Sequence, residues 1–192
     1  MITKCIGFLK KDQSWPSEKK RNLANHLCKN DIREKPAPSE VPCKGCKICK
    51  MMNPKQIVVN EKSKQVVTVK PGATCNTENV VYALNCKKCK QIYVGHTGDS
   101  MKIRYSKHKY DVNNRPTQNE FATHCHRGHD LEKDIEISIL DYGIGSLEER
   151  ERVEDRFICR LQTREPTGMN TRIGPYAKEM YHLWGKASGV TE

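Results

Sequence analysis

Residues 79–108, NVVYALNCKKCKQIYVGHTGDSMKIRYSKH, leave the chain little conformational freedom. Two short runs, 80–84 and 91–94, are rich in β-branched residues and carry one tyrosine each, Tyr82 and Tyr93. A Cys-Lys-Lys-Cys turn joins them, so the stretch predicts a β-hairpin. Alternation sets Val81, Ala83 and Asn85 on one face and Val80, Tyr82, Leu84 and Cys86 on the other. Gly95 closes the return run, as a close backbone approach or a turn requires. The period then changes to that of a helix, from Asp99 to about Val112, capped by Asp99 or Thr97. Met101, Arg104, Tyr105, His108 and Val112 share its stripe. An Arg and a His there either lay their stems on the core and reach for the rim or meet a partner.

Such a hairpin and helix need a core, and this chain has little to build one from. Of 192 residues, 36% are hydrophobic and the mean hydropathy is −0.78, which suits one domain with polar extensions. Small cores need staples, and ten cysteines are available. The N-terminus has no apolar run of a signal peptide, and no stretch nears the roughly 18 apolar residues of a membrane helix. The expected setting is therefore intracellular, nucleus or cytoplasm, where close cysteine pairs read as metal ligands. A net charge of +11 and a pI near 9.2 suit a polyanionic partner such as DNA. A generic basic surface is the plainer account of the same charge.

Residues 1–42 read as a basic arm, with a short helix over 18–30 (Leu23, Ala24, Leu27) and a linker over 35–42. Residues 43–78 form a Cys-rich segment. CKGCKIC supplies Cys43, Cys46 and Cys49, and two overlapping CxxC steps bend thiolates round one tetrahedral ion. The runs 56–60 and 65–70 predict a hairpin about 61–64 that would return Cys75 as a fourth ligand. Free thiols in an arm are the alternative. A second set is Cys86 and Cys89 with His124 and His129, from a long loop expected over 113–134. His126 or Cys125 could replace one histidine, and surface histidines by chance are the alternative. Closed four-ligand sites of this type are structural zinc sites.

A third strand is expected over 135–140. Ser146 and Glu149 form a capping box opening a helix to about Thr163, with Leu147, Phe157, Ile158 and Leu161 as its apolar stripe. Glu154 falls inside that stripe. A buried unpaired carboxylate costs several kcal/mol, so a divalent cation, Arg150 or Arg104 is its expected partner. Pro166 and Gly168 then turn the chain and deliver Asn170. Residues 173–192 read as a tail.

Taken in order, V-V-Tyr82, Tyr93-V-G, Arg104-x-x-x-His108, Glu154-x-x-Phe-Ile and Pro-x-Gly-x-Asn170 resemble the GIY-YIG endonuclease domain over about 79–172. The CxxC between the tyrosine runs and the later His-x4-His are similar to the endonuclease of Penelope-like retroelements. VVY stands in place of GIY, and Phe157 where the family often has Trp; neither removes a catalytic group. The resemblance implies an α/β fold: a small three-stranded mixed or antiparallel sheet flanked by helices, with a zinc-binding N-terminal extension and loop. It implies a DNA endonuclease derived from a retroelement, with a reverse-transcriptase module or element RNA as further partners. Glu154 would hold Mg²⁺ or Mn²⁺, and Arg104 would clamp the phosphate. Tyr82 would act on the water, with His108 taking its proton. Tyr93 would orient water or phosphate, and Asn170 would fix the geometry. His96 is a weaker candidate. Lys87, Lys88, Lys90 and Lys102 are the expected DNA-backbone contacts. A zinc-dependent nucleic-acid-binding protein without cleavage is the alternative, and a zinc scaffold for protein partners a third reading.

Overall fold

The computed structural model describes residues 43, 45–172 and 174–177, all within the chain's second unit, Ala37–Glu192. The expected helix at 18–30, the linker at 35–42 and most of the tail lie outside the described residues. The elements in order are α1 (Lys47–Met51), β1 (Ile57–Asn60), β2 (Gln65–Thr68), β3 (Val80–Cys86), β4 (Ile92–Thr97), α2 (Met101–Asn114), α3 (Glu120–His126), β5 (Ile135–Tyr142) and α4 (Leu147–Leu161). Among the described residues this is an α/β fold with two antiparallel sheets, one of order β4-β3-β5 and one of β1-β2. None of the described helices is long and apolar enough to cross a membrane.

β3 is the central strand, and six of its seven residues are buried. Its alternation sorts two cores. Val80, Tyr82, Leu84 and Cys86 pack with Met101 and Tyr105 of α2 and Phe121 and Cys125 of α3. Val81 and Ala83 pack with Phe157, Ile158 and Leu161 of α4 and with Val58 and Val67 of the β1-β2 hairpin. Both faces are covered, so both parities of β3 must be apolar. Residues 43–78 thus close the same two cores rather than stand apart. The pairing of β3 with β5 shifts between Val81 and Tyr82. Such an irregularity re-aims a side chain, and here it falls at Tyr82.

The helix starts differ from expectation in one place. Ser100, not Asp99 or Thr97, caps α2: its hydroxyl accepts the Ile103 amide at 3.4 Å. Thr97 instead accepts the Asp99 amide at 3.1 Å and shapes the turn before the cap. Ser146 does cap α4, accepting Glu149 N–H at 3.0 Å, but Leu147 is 56% exposed and leaves the apolar stripe. It occupies the first turn, ahead of where the helix meets the sheet. The segment expected to be a loop over 113–134 contains α3, capped by Asn119, whose Oδ1 accepts Ala122 N–H at 2.9 Å.

β4 is an edge strand, and its outer rim is closed by residues 163–170. Val94 donates its N–H to Asn170 Oδ1 at 3.0 Å and accepts from Asn170 Nδ2 at 2.8 Å, and the Met169 amide donates to Ile92 O at 3.0 Å. Thr163 Oγ1 adds a bond to Asn170 Oδ1 at 2.8 Å. One buried amide side chain therefore does for the edge what a fourth strand would do. Asn170→Ala would strand a buried N–H and a buried C=O, each costing about 1–3 kcal/mol. We expect urea unfolding to shift by roughly 2–5 kcal/mol with an unchanged m-value; a change under about 0.5 kcal/mol would contradict this role.

Candidate active site and metal-ligand groups

Tyr82 is wholly buried at the centre of β3, and its hydroxyl has two partners from α2. Arg104 Nε donates to Tyr82 Oη at 2.8 Å. His108 Nε2 lies 2.7 Å from the same oxygen. With Arg104 as an obligate donor, the hydroxyl proton goes to His108, so Nε2 is the acceptor and Nδ1 carries the ring proton. His108 Nδ1 is buried without a partner. Arg104 and His108 stand one turn apart on α2, the spacing that lets both meet one oxygen.

Burial pushes the Tyr82 phenol up to about 12, against the pull of Arg104. Burial, then the Arg104 cation, pushes His108 down to about 3. Both groups are therefore neutral at pH 7. Tyr93 is also pushed up, first by burial and then by Tyr82 and Glu154. Its ring lies 6.5 Å from that of Tyr82, 6.0 Å from His108 and 6.0 Å from Phe121. Phe121 in turn sits edge-on to His108 at 5.0 Å. The sequence gives little warning of Phe121: only Phe121, Ala122 and Cys125, one short helical face after Asn119, marked it.

The His108 shift sets a pH dependence. Between pH 6.5 and about 3 the unfolded chain takes up a proton that folded His108 refuses. Stability is thus full above about 6.5 and falls with falling pH, by up to about 1.4 kcal/mol per pH unit. His108→Gln keeps an acceptor for Tyr82 and is expected to flatten that acid limb in urea titrations. An identical slope in both proteins would contradict it.

Gly95 shows why a glycine follows Tyr93-Val94. A Cβ there would stand 2.7 Å from Tyr82 Oη and 2.8 Å from Tyr93 Cε1. The next residue, His96, sits on the α4 side of β4, where its Nδ1 meets Glu154 Oε2 at 2.7 Å. His96 is thus the partner of Glu154, in place of the expected Arg150 or Arg104. Arg150 instead binds Asn79 Oδ1 and the Ile144 and Gly145 carbonyls. Glu154 arrives from the layer opposite α2, and its charge still raises both Tyr82 and Tyr93. Tyr82, Tyr93, Arg104 and His108 therefore cluster on one face of the sheet, while Glu154 and its partner His96 stand on the other side of β4. Asn170 stands off, holding the backbone of β4 behind them.

Two groups among the described residues could hold a metal ion: Cys43, Cys46, Cys49 and Cys75, and Cys86, Cys89, His124 and His129. An ion about 2.3 Å from each sulfur at tetrahedral angles needs sulfurs roughly 3.8 Å apart. Cys46 Sγ lies 3.7 Å from Cys49 Sγ and 3.6 Å from Cys75 Sγ. In the second group, Cys86 Sγ is 3.3 Å from His129 Nδ1 and Cys89 Sγ 3.8 Å from His124 Nε2. The donor sets and spacings fit zinc. The Cys46 backbone amide, with the neighbouring thiols, takes Cys43 down to about 6, while burial pushes Cys49, Cys75 and Cys86 up. Burial takes His124 down to about 4, toward the neutral imidazole. Cys125 stays outside the second group, buried with its thiol pushed up to about 12, and His126 is exposed.

Of the expected phosphate contacts, Lys87, Lys88 and Lys102 are exposed. Lys90 is half-buried and paired with Glu61 at 3.2 Å. Comparison with protein-family models, with curated proteins and with solved structures returns no match to this chain.

Proposed function

We propose that the chain is a metal-dependent DNA endonuclease of the GIY-YIG type, similar to that of Penelope-like retroelements, and hydrolyses phosphodiester bonds. The observation that carries the reading is the Tyr82 hydroxyl held between Arg104 at 2.8 Å and His108 at 2.7 Å, with the Glu154 carboxylate held by His96 on the facing side of β4. A structural or partner-binding protein has no need of a buried Tyr–Arg–His cluster with a carboxylate across the strand. Binding without cleavage, the second reading, explains the charge and the metal-ligand groups but not this cluster.

Glu154 is the carboxylate that a hard cation would use, since His96 engages Oε2 and leaves Oε1. Such sites take one or two carboxylates and several waters. Bound there, Mg²⁺ or Mn²⁺ would supply charge stabilisation at the phosphate and the leaving 3′-oxygen. Arg104 spends Nε on Tyr82 and keeps the two terminal nitrogens of its planar fork for the non-bridging phosphate oxygens. Tyr82 and His108 act as a relay: water gives its proton to Tyr82 Oη as Tyr82 gives its own to His108 Nε2. The water oxygen then forms the new bond to phosphorus as the bond to the 3′-oxygen breaks; the 3′-oxygen leaves as an alkoxide, is protonated by solvent to the hydroxyl, and His108 returns its proton to solvent. In the resting site burial first, and Arg104 second, oppose a positive charge on His108; a phosphate on Arg104 relieves the second of these. Each ligand set would hold one structural zinc, the first tying Cys43–Cys49 to Cys75 and the second tying α3 to the β3-β4 turn.

The test is nicking of supercoiled plasmid by the full chain with Mg²⁺, alongside Tyr82→Phe. Wild-type cleavage falling at least 10²-fold in the variant, with DNA binding retained, supports the reading; equal rates would overturn the relay. Gly95→Ala pushes a methyl at the Tyr82 hydroxyl and is expected to cut kcat at least tenfold with the metal sites still loaded. A full-rate Gly95→Ala protein would mean that the position of Tyr82 Oη does not matter.

A further inference from the structure

We propose that the surface around the Cys86/Cys89/His124/His129 group is a docking platform for the phosphate backbone of a nucleic-acid strand, built from Lys62, Lys87, Lys88 and Arg127. The strand continues from it along a groove to the catalytic cluster. The inference rests on the nuclease reading for its occupant and adds the path of that substrate.

The platform is assembled from three separate segments. Lys62 lies in the turn of the β1-β2 hairpin, Lys87 and Lys88 in the Cys-Lys-Lys-Cys turn, and Arg127 at the end of α3; all four are exposed. Specific contacts bring the segments together. Lys90 Nζ meets Glu61 of the hairpin turn at 3.2 Å. Lys88 Nζ donates to Gly128 O at 2.8 Å, beside Arg127. The hairpin turn is itself fastened, with Asn60 Nδ2 and Ser63 Oγ donating to Leu161 O at 2.7 and 3.1 Å. A fixed set of like charges repels itself, and an anion with repeated charges relieves that repulsion.

Arg127 also lines a groove of about 430 Å³ with Gln91, Gln118, Glu120, Thr171 and Arg172. Its lining is polar, unlike the mostly apolar sites that take small molecules. Two carboxylates stand in it, Glu120 and Glu165; Glu120 is held by the Thr171 hydroxyl at 2.5 Å. Phe121, next to Glu120 on α3, holds its ring 6.0 Å from that of Tyr93, so this end of the groove adjoins the catalytic cluster. From Glu120 to Arg127 the helix advances about 10 Å, close to three base steps of about 3.4 Å along one strand. Guanidiniums for phosphate and amides for base edges are the groups a nucleic-acid strand uses. An acidic peptide would satisfy the lysines but gives no reason for the groove to end at Tyr93.

The test is binding of a fluorescein-labelled DNA duplex to the full, zinc-loaded chain across a salt series, with Mg²⁺ withheld. Each phosphate contact contributes a slope of about −0.9 in log Kobs against log salt. The Lys62→Gln/Lys87→Gln/Arg127→Gln protein is expected to lose roughly 2–3 units of slope. A Lys50→Gln/Lys55→Gln/Lys109→Gln protein, with the same charge removed elsewhere, should lose under about 1. Lys62→Gln alone, which is not a chain neighbour of any ligand, should lose about 1 and guards against a triple variant that drops its metal. Equal losses in the two triples, or none with Lys62→Gln, would overturn the platform. So would an acidic peptide displacing duplex at equal charge. Cleavage is scored separately with Mg²⁺: a wild type that binds with the expected slope but never cuts removes the nuclease reading and leaves the platform standing.

Discussion

Cys86→Ser/His129→Ala is expected to lose one equivalent of zinc and most of its cooperative fold. Cys86 ends β3, the strand that carries Tyr82, and both lie in one core with Phe121 and Cys125 of α3. α3 is only seven residues long, too short to persist without tertiary support. At one end it supplies His124 to the metal-ligand group, and at the other Phe121, whose ring packs on Tyr93 and His108. Structural zinc contributes on the order of 10 kcal/mol, comparable with the whole stability of a domain. Loss of the site should therefore release α3 and, with it, one wall of the catalytic cluster. Metal analysis with circular dichroism melting checks this. A variant with one zinc fewer but an unchanged melt would show that packing alone holds α3.

Arg104→Ala should have the largest effect on chemistry with the fold intact. Arg104 fixes the direction of the Tyr82 hydroxyl proton through its Nε, and on the proposed nuclease reading the rest of its fork would go to substrate. Removing a preorganised charge partner of a transition state costs about 10²–10³ in kcat, and the misdirected hydroxyl adds to it. Arg104→Lys should recover little, since a point charge cannot hold Tyr82 and a phosphate together. Single-turnover cleavage at saturating enzyme separates this from weaker binding. A variant losing KM alone would make Arg104 a binding residue only.

The sequence was most informative where chemistry is local. The hairpin of 80–94, both ligand sets and the α2 stripe follow from alternation, CxxC spacing and helical period, all short-range signals. Close backbone approach at Gly95 was legible for the same reason. The α3 helix was not, because its seven residues include three apolar ones in a polar stretch and it relies on the sheet and its own Asn119 cap. The Glu154 partner was also hidden: His96 lies 58 residues away and meets it only once α4 crosses β4. Asn170 was legible as a fixed polar group but not as the cover of a strand edge, since that role exists only in the folded sheet. Lys62 and Arg127 carry no sequence signal, because the hairpin turn and the end of α3 meet the Cys-Lys-Lys-Cys turn only in the fold.

The most direct measurement is plasmid cleavage by wild type and Glu154→Ala across a Mg²⁺ titration. The account predicts nicked or linear product from wild type only, saturating with Mg²⁺, and retained DNA binding in the variant. Equal cleavage by both proteins would contradict a role for Glu154 and, with it, the metal-dependent reading of the site.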